Sequence, residues 1–278
     1  MKIFVFSLLV MLFLFPQPGA AELVYVPLPV ENSETVIASH TPMIRYLAEK
    51  LGVQIKIRYE KDNQQILQLF KEGKIDLVQL GPLPYVTLKK EYPQAQPLAI
   101  MNESDGKPAY TCALVTSFDG PQSVQEINSP LALPQALSTC GHLSAALLLK
   151  DPQPDLEQLG CQYLGNHEEV ALAVVRGEFK AGVMKTQVAR KYQNLTLKVL
   201  KETAPFPGFV IVGNKKTLDS KQAMQIGRLL IQVSPETRSS WIKKSTLSSC
   251  MSACFLTLLH HCLAFTTPAA LRQVIPFS

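Results

Sequence analysis

Lys74-Ile75-Asp76-Leu77-Val78-Gln79-Leu80-Gly81-Pro82-Leu83-Pro84-Tyr85 is the stretch on which the fold turns. Ile75 to Leu80 is a short, mainly apolar run that ends abruptly at a Gly-Pro-Leu-Pro turn, as a strand does. Just upstream, Ile66, Leu67, Leu69 and Phe70 mark a helix that stops at Gly73. Before it, Val53, Ile55, Ile57 and Tyr59 alternate along a strand. Val36, Ile37, Met43, Ile44, Leu47, Ala48 and Leu51 mark a longer helix closed by Gly52, and Leu23 to Val26 is a first β-like run. Strand–helix–strand–helix–strand is the order of a parallel sheet with helices on its faces.

The same grammar restarts downstream. Leu131 to Leu133 reads as a strand, Ser138 to Leu149 as a helix and Cys161 to Leu164 as a strand. His167 to Arg176 is a helix, Ala181 to Met184 a strand and Thr186 to Tyr192 a helix. Two α/β units of about 100 residues each, joined by extended stretches around Ala109–Val115 and Phe209–Gly213, predict two lobes with a cleft between them. Ser234-Pro235-Glu236 is a helix start, with Ser as N-cap and Pro at the first position.

The 278 residues are 47% hydrophobic and 18% charged, enough for a packed core. Residues 1–21 read as a secretory signal peptide: Lys2, then 13 residues from Ile3 to Phe15 broken only by Ser7, then Pro16, Pro18 and Gly19-Ala20-Ala21. The run is shorter than the roughly 20 residues a spanning helix needs. Without the leader, 26 basic residues stand against 22 acidic ones and no basic face is visible, so nucleic acid is not an expected partner. A mild surplus of positive charge does suit a small anion. Residues 245–278 hold one charged residue, Arg272, and read as a divergent or frame-shifted tail.

Three features could carry chemistry. Ser138-Thr139-Cys140-Gly141 follows a strand and opens an apolar helix, which offers first-turn N–H groups, two hydroxyls and the positive end of a helix dipole to an anion. Capping by Ser138 and Thr139 alone is the competing account. His167 opens a helix at the equivalent end of the same sheet, where it could donate a proton to an anion or simply lie at the surface. Tyr85 could point into the cleft or pack in the core. A Cys140 thiolate activated by the helix start would make an enzyme. A disulfide, for instance with Cys112, would remove that possibility. Six cysteines allow 15 pairings. Cys250, Cys254, His260, His261 and Cys262 lack a standard zinc spacing, and no phosphate-loop, nucleophile-elbow or metalloprotease motif occurs.

The chain from Val24 to Trp241 resembles the periplasmic phosphate/phosphite/phosphonate-binding proteins of ABC transporters, the PhnD-like group. The likeness rests on Pro42-Met43-Ile44-Arg45-Tyr46-Leu47, the 74–85 stretch, Ser138-Thr139-x-Gly141, Gly165-Asn166-His167-Glu168 and Pro207-Gly208, in that order. It implies a type 2 periplasmic-binding-protein fold, with lobe 1 from 22–108 and 207–244 and lobe 2 from 109–206. It also implies a non-enzymatic monomer without metal or cofactor, whose partners are a small anion and a membrane permease. A receptor feeding a membrane signalling protein would share the same fold and site. Ser138, Thr139, Cys140, Gly141, His167, Tyr85 and Asn63 are the implied ligand residues. Cys140 stands where the family usually has a third hydroxyl, and Asn63 where a tyrosine is common. Gln187 and Phe209 stand where aminophosphonate binders place carboxylates, so a ligand without an amine is expected.

Overall fold

The computed structural model describes residues 22–103, 105–149, 156–234, 237, 241 and 247–248. The leader, Pro235-Glu236 and all of the expected tail except Leu247–Ser248 therefore lie outside the described residues. The chain begins β1 (Glu22–Val26), α1 (Ser33–Leu51), β2 (Gln54–Ile57), α2 (Asn63–Glu72), β3 (Leu77–Leu80), α3 (Pro82–Glu91) and β4 (Ala95–Met101). It continues with β5 (Ala109–Tyr110), β6 (Cys112–Ser117), β7 (Leu131–Leu133), α4 (Ser144–Leu149), α5 (Leu156–Leu159), β8 (Cys161–Tyr163), α6 (His167–Val175), β9 (Ala181–Lys185), α7 (Thr186–Lys191) and β10 (Leu197–Glu202). The described elements close with β11 (Phe206–Pro207), β12 (Val210–Asn214), α8 (Ser220–Ile231) and β13 (Leu247–Ser248).

Local chemistry sets these boundaries. Asn32 accepts from the Thr35 N–H at 3.0 Å to start α1, and Gly52 ends it in the left-handed region at φ 66°. Asp62 accepts from Gln64 N–H at 2.6 Å to start α2, and Gly73 ends it at φ 82°. Val36, His40, Met43, Ile44 and Leu47 form the buried stripe of α1, spaced as one helix face. The segment after β3 is a helix rather than the turn expected: Pro82 and Pro84 fall in its first turn, where a missing N–H costs nothing.

Two mixed sheets result. The first runs β13-β4-β12-β3-β1-β2, with β1 parallel to β2 and β3, and β12 antiparallel to β3 and β4. The second runs β10-β6-β9-β7-β8, with β7 parallel to β8 and β9, and β6 antiparallel to its neighbours. The two stretches read as extended connections contribute β5 and β11, which pair into a two-stranded antiparallel ribbon, and then enter the sheets as β6 and β12. Both sheets have buried central strands: Leu77 to Leu80 in one, Leu131 to Leu133 in the other. The architecture is two α/β layers joined by paired crossing strands.

The expected helix from Ser138 to Leu149 is interrupted. Thr139–Leu143 forms a wide turn in which Gly141 (φ −95°, ψ −125°) leaves helical geometry, and regular helix begins only at Ser144. A Cβ on Gly141 would stand 2.6 Å from the Gln135 carbonyl oxygen, so this turn can hug the preceding loop only with glycine.

Candidate functional site

The carboxyl ends of parallel strands from both sheets face one cavity. Leu28 follows β1, Gly81 and Pro84 follow β3, and Asn63 opens α2. From the second sheet come Gln135, Ser138, Thr139 and Cys140 after β7, His167 at the start of α6, and Lys185 at the end of β9. Tyr110 and Phe209, beside the crossing ribbon, complete the wall. Ligands of open α/β sheets bind at this end of the strands. The cavity lies on a seam crossed by hydrogen bonds between the halves, among them Gln135 Nε2 donating to Pro29 O (2.8 Å), the His167 N–H to Val30 O (3.2 Å) and the Leu83 N–H to Thr139 Oγ1 (3.1 Å).

Thr139, Ser138 and Asn63 face the cavity with hydrogen-bonding capacity to spare. Thr139 accepts from Leu83, which leaves its own hydroxyl proton to give. Ser138 occupies the cap position before the turn, yet its side chain caps no N–H. Asn63 is only 2% exposed, and neither its Oδ1 nor its Nδ2 has a hydrogen-bond partner in the described structure. Leaving buried polar atoms unmatched costs about 1–3 kcal/mol each, an expense that a bound polar ligand would remove.

His167 is chemically specified. Its Nδ1 accepts the Lys185 backbone N–H at 3.1 Å, so the ring proton must reside on Nε2. Burial, followed by the Lys185 charge, pushes its pKa down to about 3, so the ring is a neutral donor at physiological pH. Lys185 is buried and its Nζ lies 2.7 Å from Glu103 Oε1. The same ammonium stands 4.5 Å from the Phe209 ring centre and 5.1 Å from that of Tyr110. A cation, a neutral imidazole N–H, hydroxyls and an amide thus share one small enclosure with apolar walls. Such a set of groups can donate several hydrogen bonds to an oxyanion.

Comparison with known proteins fits this geometry. A family model described as "ABC transporter, phosphonate, periplasmic substrate-binding protein" matches residues 25–248. The chain belongs to this family. The phosphate-import protein PhnD of Mycolicibacterium smegmatis is 23% identical over 184 residues, covering 60% of this chain and 57% of that protein. The match therefore spans little more than half the length of that relative. Among solved structures, PhnD1 from Prochlorococcus marinus in complex with methylphosphonate superposes with a TM-score of 0.75 at 14% identity, over 88% of this chain and 96% of that one. A binding protein component of an ABC phosphonate transporter from Pseudomonas aeruginosa gives 0.76 at 16% identity, over 93% and 90%. The fold is that of the type 2 periplasmic binding proteins, two lobes with the cleft between them.

Of the residues the sequence nominated in this family member, Asn63, Ser138, Thr139, Cys140 and His167 line the one cavity. Gly141 shapes the turn behind them. Tyr85 is placed differently: it packs in an apolar cluster with Leu80, Leu88 and Leu137, and Gly81 and Pro84 from its own segment reach the wall instead. Cys140 is bonded to Cys112 in a disulfide. This corrects the reading of Cys140 as a nucleophile, because a disulfide sulfur has no thiolate to offer. Phe209 lines the cavity, whereas Gln187 lines the neighbouring ones. Sequence reasoning missed Lys185, Gln135 and Tyr110. Only the apolar run before Lys185 could have flagged it, as a lysine at the carboxyl end of a buried strand.

Proposed function

We propose that this protein is an extracytoplasmic solute-binding protein that captures a phosphorus oxyanion, namely phosphate, phosphite or a phosphonate, and delivers it to the permease of an ABC importer. The observation that carries this reading is the convergence of donors from three separate segments, Asn63, Ser138–Thr139 and His167, beside the Lys185 ammonium that is paired with Glu103. Family membership supports it, as do the neighbours named for phosphate import and for phosphonate transport. Among the described residues the cavity walls carry no carboxylate, and Glu103 behind them is committed to Lys185, which favours a ligand without an amine. With the seam closed the cavity measures only about 10 Å³, room for a water-sized group. Loading therefore requires the lobes to part and then to close on the anion with a wider seam than in this structure, and that ligand-closed form is what a permease would recognise.

The lobes are assigned as 22–108 with 207–244, and 109–206, hinged at the β5–β11 ribbon. Secretion by the 1–21 leader places the protein outside the cytoplasmic membrane. A thermal-shift panel tests the function: phosphate, phosphite, methylphosphonate, 2-aminoethylphosphonate and sulfate are added to the mature protein. A ligand that binds only the folded form raises Tm by mass action. At least one amine-free phosphorus anion should do so, and silence from all of them with a folded protein would overturn the proposal.

A further inference from the structure

Two features of the cavity bear on the charge and the protonation of what it holds. The first is its charge balance. Lys185 is the one cationic side chain among the described residues that line it, and its Nζ lies 2.7 Å from Glu103 Oε1, so the pair cancels. Burial, then the Lys185 charge, pushes the His167 pKa down to about 3, which leaves that ring uncharged. The remaining titratable group on the wall is the Tyr110 phenol. Charged groups next along the chain are engaged elsewhere: Asp62 caps α2 through the Gln64 and Gln65 N–H groups, Glu31 pairs with Lys191, and Glu168 accepts from Asn32 and Tyr192. A cavity with no net charge favours a monoanion, because the cost of desolvation rises with the square of the charge and is about four times larger for a dianion.

The second feature is an acceptor among donors. His167 offers its Nε2–H, Lys185 an ammonium and Thr139 a hydroxyl proton. Of the fully buried side-chain polar atoms that lack a partner in the described structure, only Oδ1 and Nδ2 of Asn63 belong to this cavity. An amide sets an acceptor and a donor side by side. A fully deprotonated oxyanion satisfies Nδ2 and leaves Oδ1 facing a lone pair, whereas an oxyanion that keeps one P–OH satisfies both. We infer that the protein takes its ligand as a singly charged, protonated phosphorus oxyanion, and that Asn63 is the residue that reads the P–OH. The inference rests on the phosphorus-oxyanion reading and adds the charge state to it. Sulfate, a dianion without a proton, is excluded on both counts.

Calorimetry on the full mature protein compares methylphosphonate with methanesulfonate, a tetrahedral monoanion of the same outline that lacks the hydroxyl proton. At about pH 6 methylphosphonate should bind about 10- to 100-fold more tightly, the penalty for stranding a buried acceptor. Between about pH 6 and about pH 9 its Kd should climb by about tenfold per unit once the second proton leaves the ligand. Asn63→Leu keeps the branched outline without the amide and should bring the methylphosphonate-to-methanesulfonate ratio to near one. Asn63→Asp keeps an acceptor and should retain the preference; a thermal transition for each variant confirms folding. A methylphosphonate Kd that stays level or falls through the second ionisation overturns the inference and leaves the phosphorus-oxyanion reading standing. So does a methanesulfonate Kd within twofold of it, or an unchanged ratio in Asn63→Leu. Failure of the folded protein to bind methylphosphonate, phosphate or phosphite overturns both.

Discussion

Replacing His167 by asparagine keeps half of what the imidazole does and deletes the other half. The Asn oxygen can stand where Nδ1 now accepts the Lys185 N–H at 3.1 Å, but its side chain stops short of the Nε2 donor. Glutamine does the reverse, reaching the donor position and abandoning the Lys185 amide. A hydrogen bond to an anion is worth about 1.5–3 kcal/mol, and about 1.4 kcal/mol is a factor of ten in Kd. His167→Asn should therefore weaken methylphosphonate binding about 10- to 150-fold while leaving the protein folded. His167→Gln should recover part of that loss. Isothermal calorimetry on the three proteins, with a denaturation curve for each, makes the comparison. An Asn variant within twofold of the parent would refute the assignment of Nε2–H as a ligand donor.

Three further perturbations follow from the same geometry. Glu103→Gln strands the Lys185 ammonium in a buried setting, so the free protein should lose roughly 3–5 kcal/mol in urea unfolding while binding the anion more tightly; unchanged affinity would mean the ammonium does not face the ligand. Replacing both Cys112 and Cys140 by serine opens a crosslink between residues 28 apart in sequence and should cost about 3–4 kcal/mol, read as a lower unfolding midpoint in guanidinium. His167, with its folded pKa near 3, and His40, also lowered, take up protons more readily when unfolded, where the ordinary value is about 6.5. Their effect on stability is nil above pH 6.5 and stability falls as the pH drops below it: for His167 by up to about 1.4 kcal/mol per unit towards pH 3, with His40 adding to the fall in the same direction. Urea titrations from pH 7.5 to 4.5 should show a shallower decline in His167→Asn, and an identical slope would contradict the burial argument.

Much of this was legible in the chain because local chemistry and tertiary structure agree there. Gly52 and Gly73 end helices in the left-handed conformation their sequence context announced, and the repeated strand–helix grammar matches the parallel cores of both sheets. What escaped notice was non-local or aperiodic. α3 shows no one-sided stripe: every residue from Pro82 to Leu88 is buried, and two prolines disguise a helix start as a turn. The break at Gly141 comes from a carbonyl six residues back that no periodicity reveals. Lys185 gains its place through Glu103, 82 residues away, and through two aromatic rings near the crossing strands. Tyr85 shows the converse, since its position beside the site marked it while packing took its ring into the core.

The most direct test of the central claim is a crystal structure of the mature protein with methylphosphonate. The account places the phosphorus oxygens within hydrogen-bond distance of Ser138 Oγ, Thr139 Oγ1, Asn63 Nδ2 and His167 Nε2, with the methyl group turned towards Phe209. Methylphosphonate bound elsewhere, or in this cavity without contact to His167 and Asn63, would contradict it.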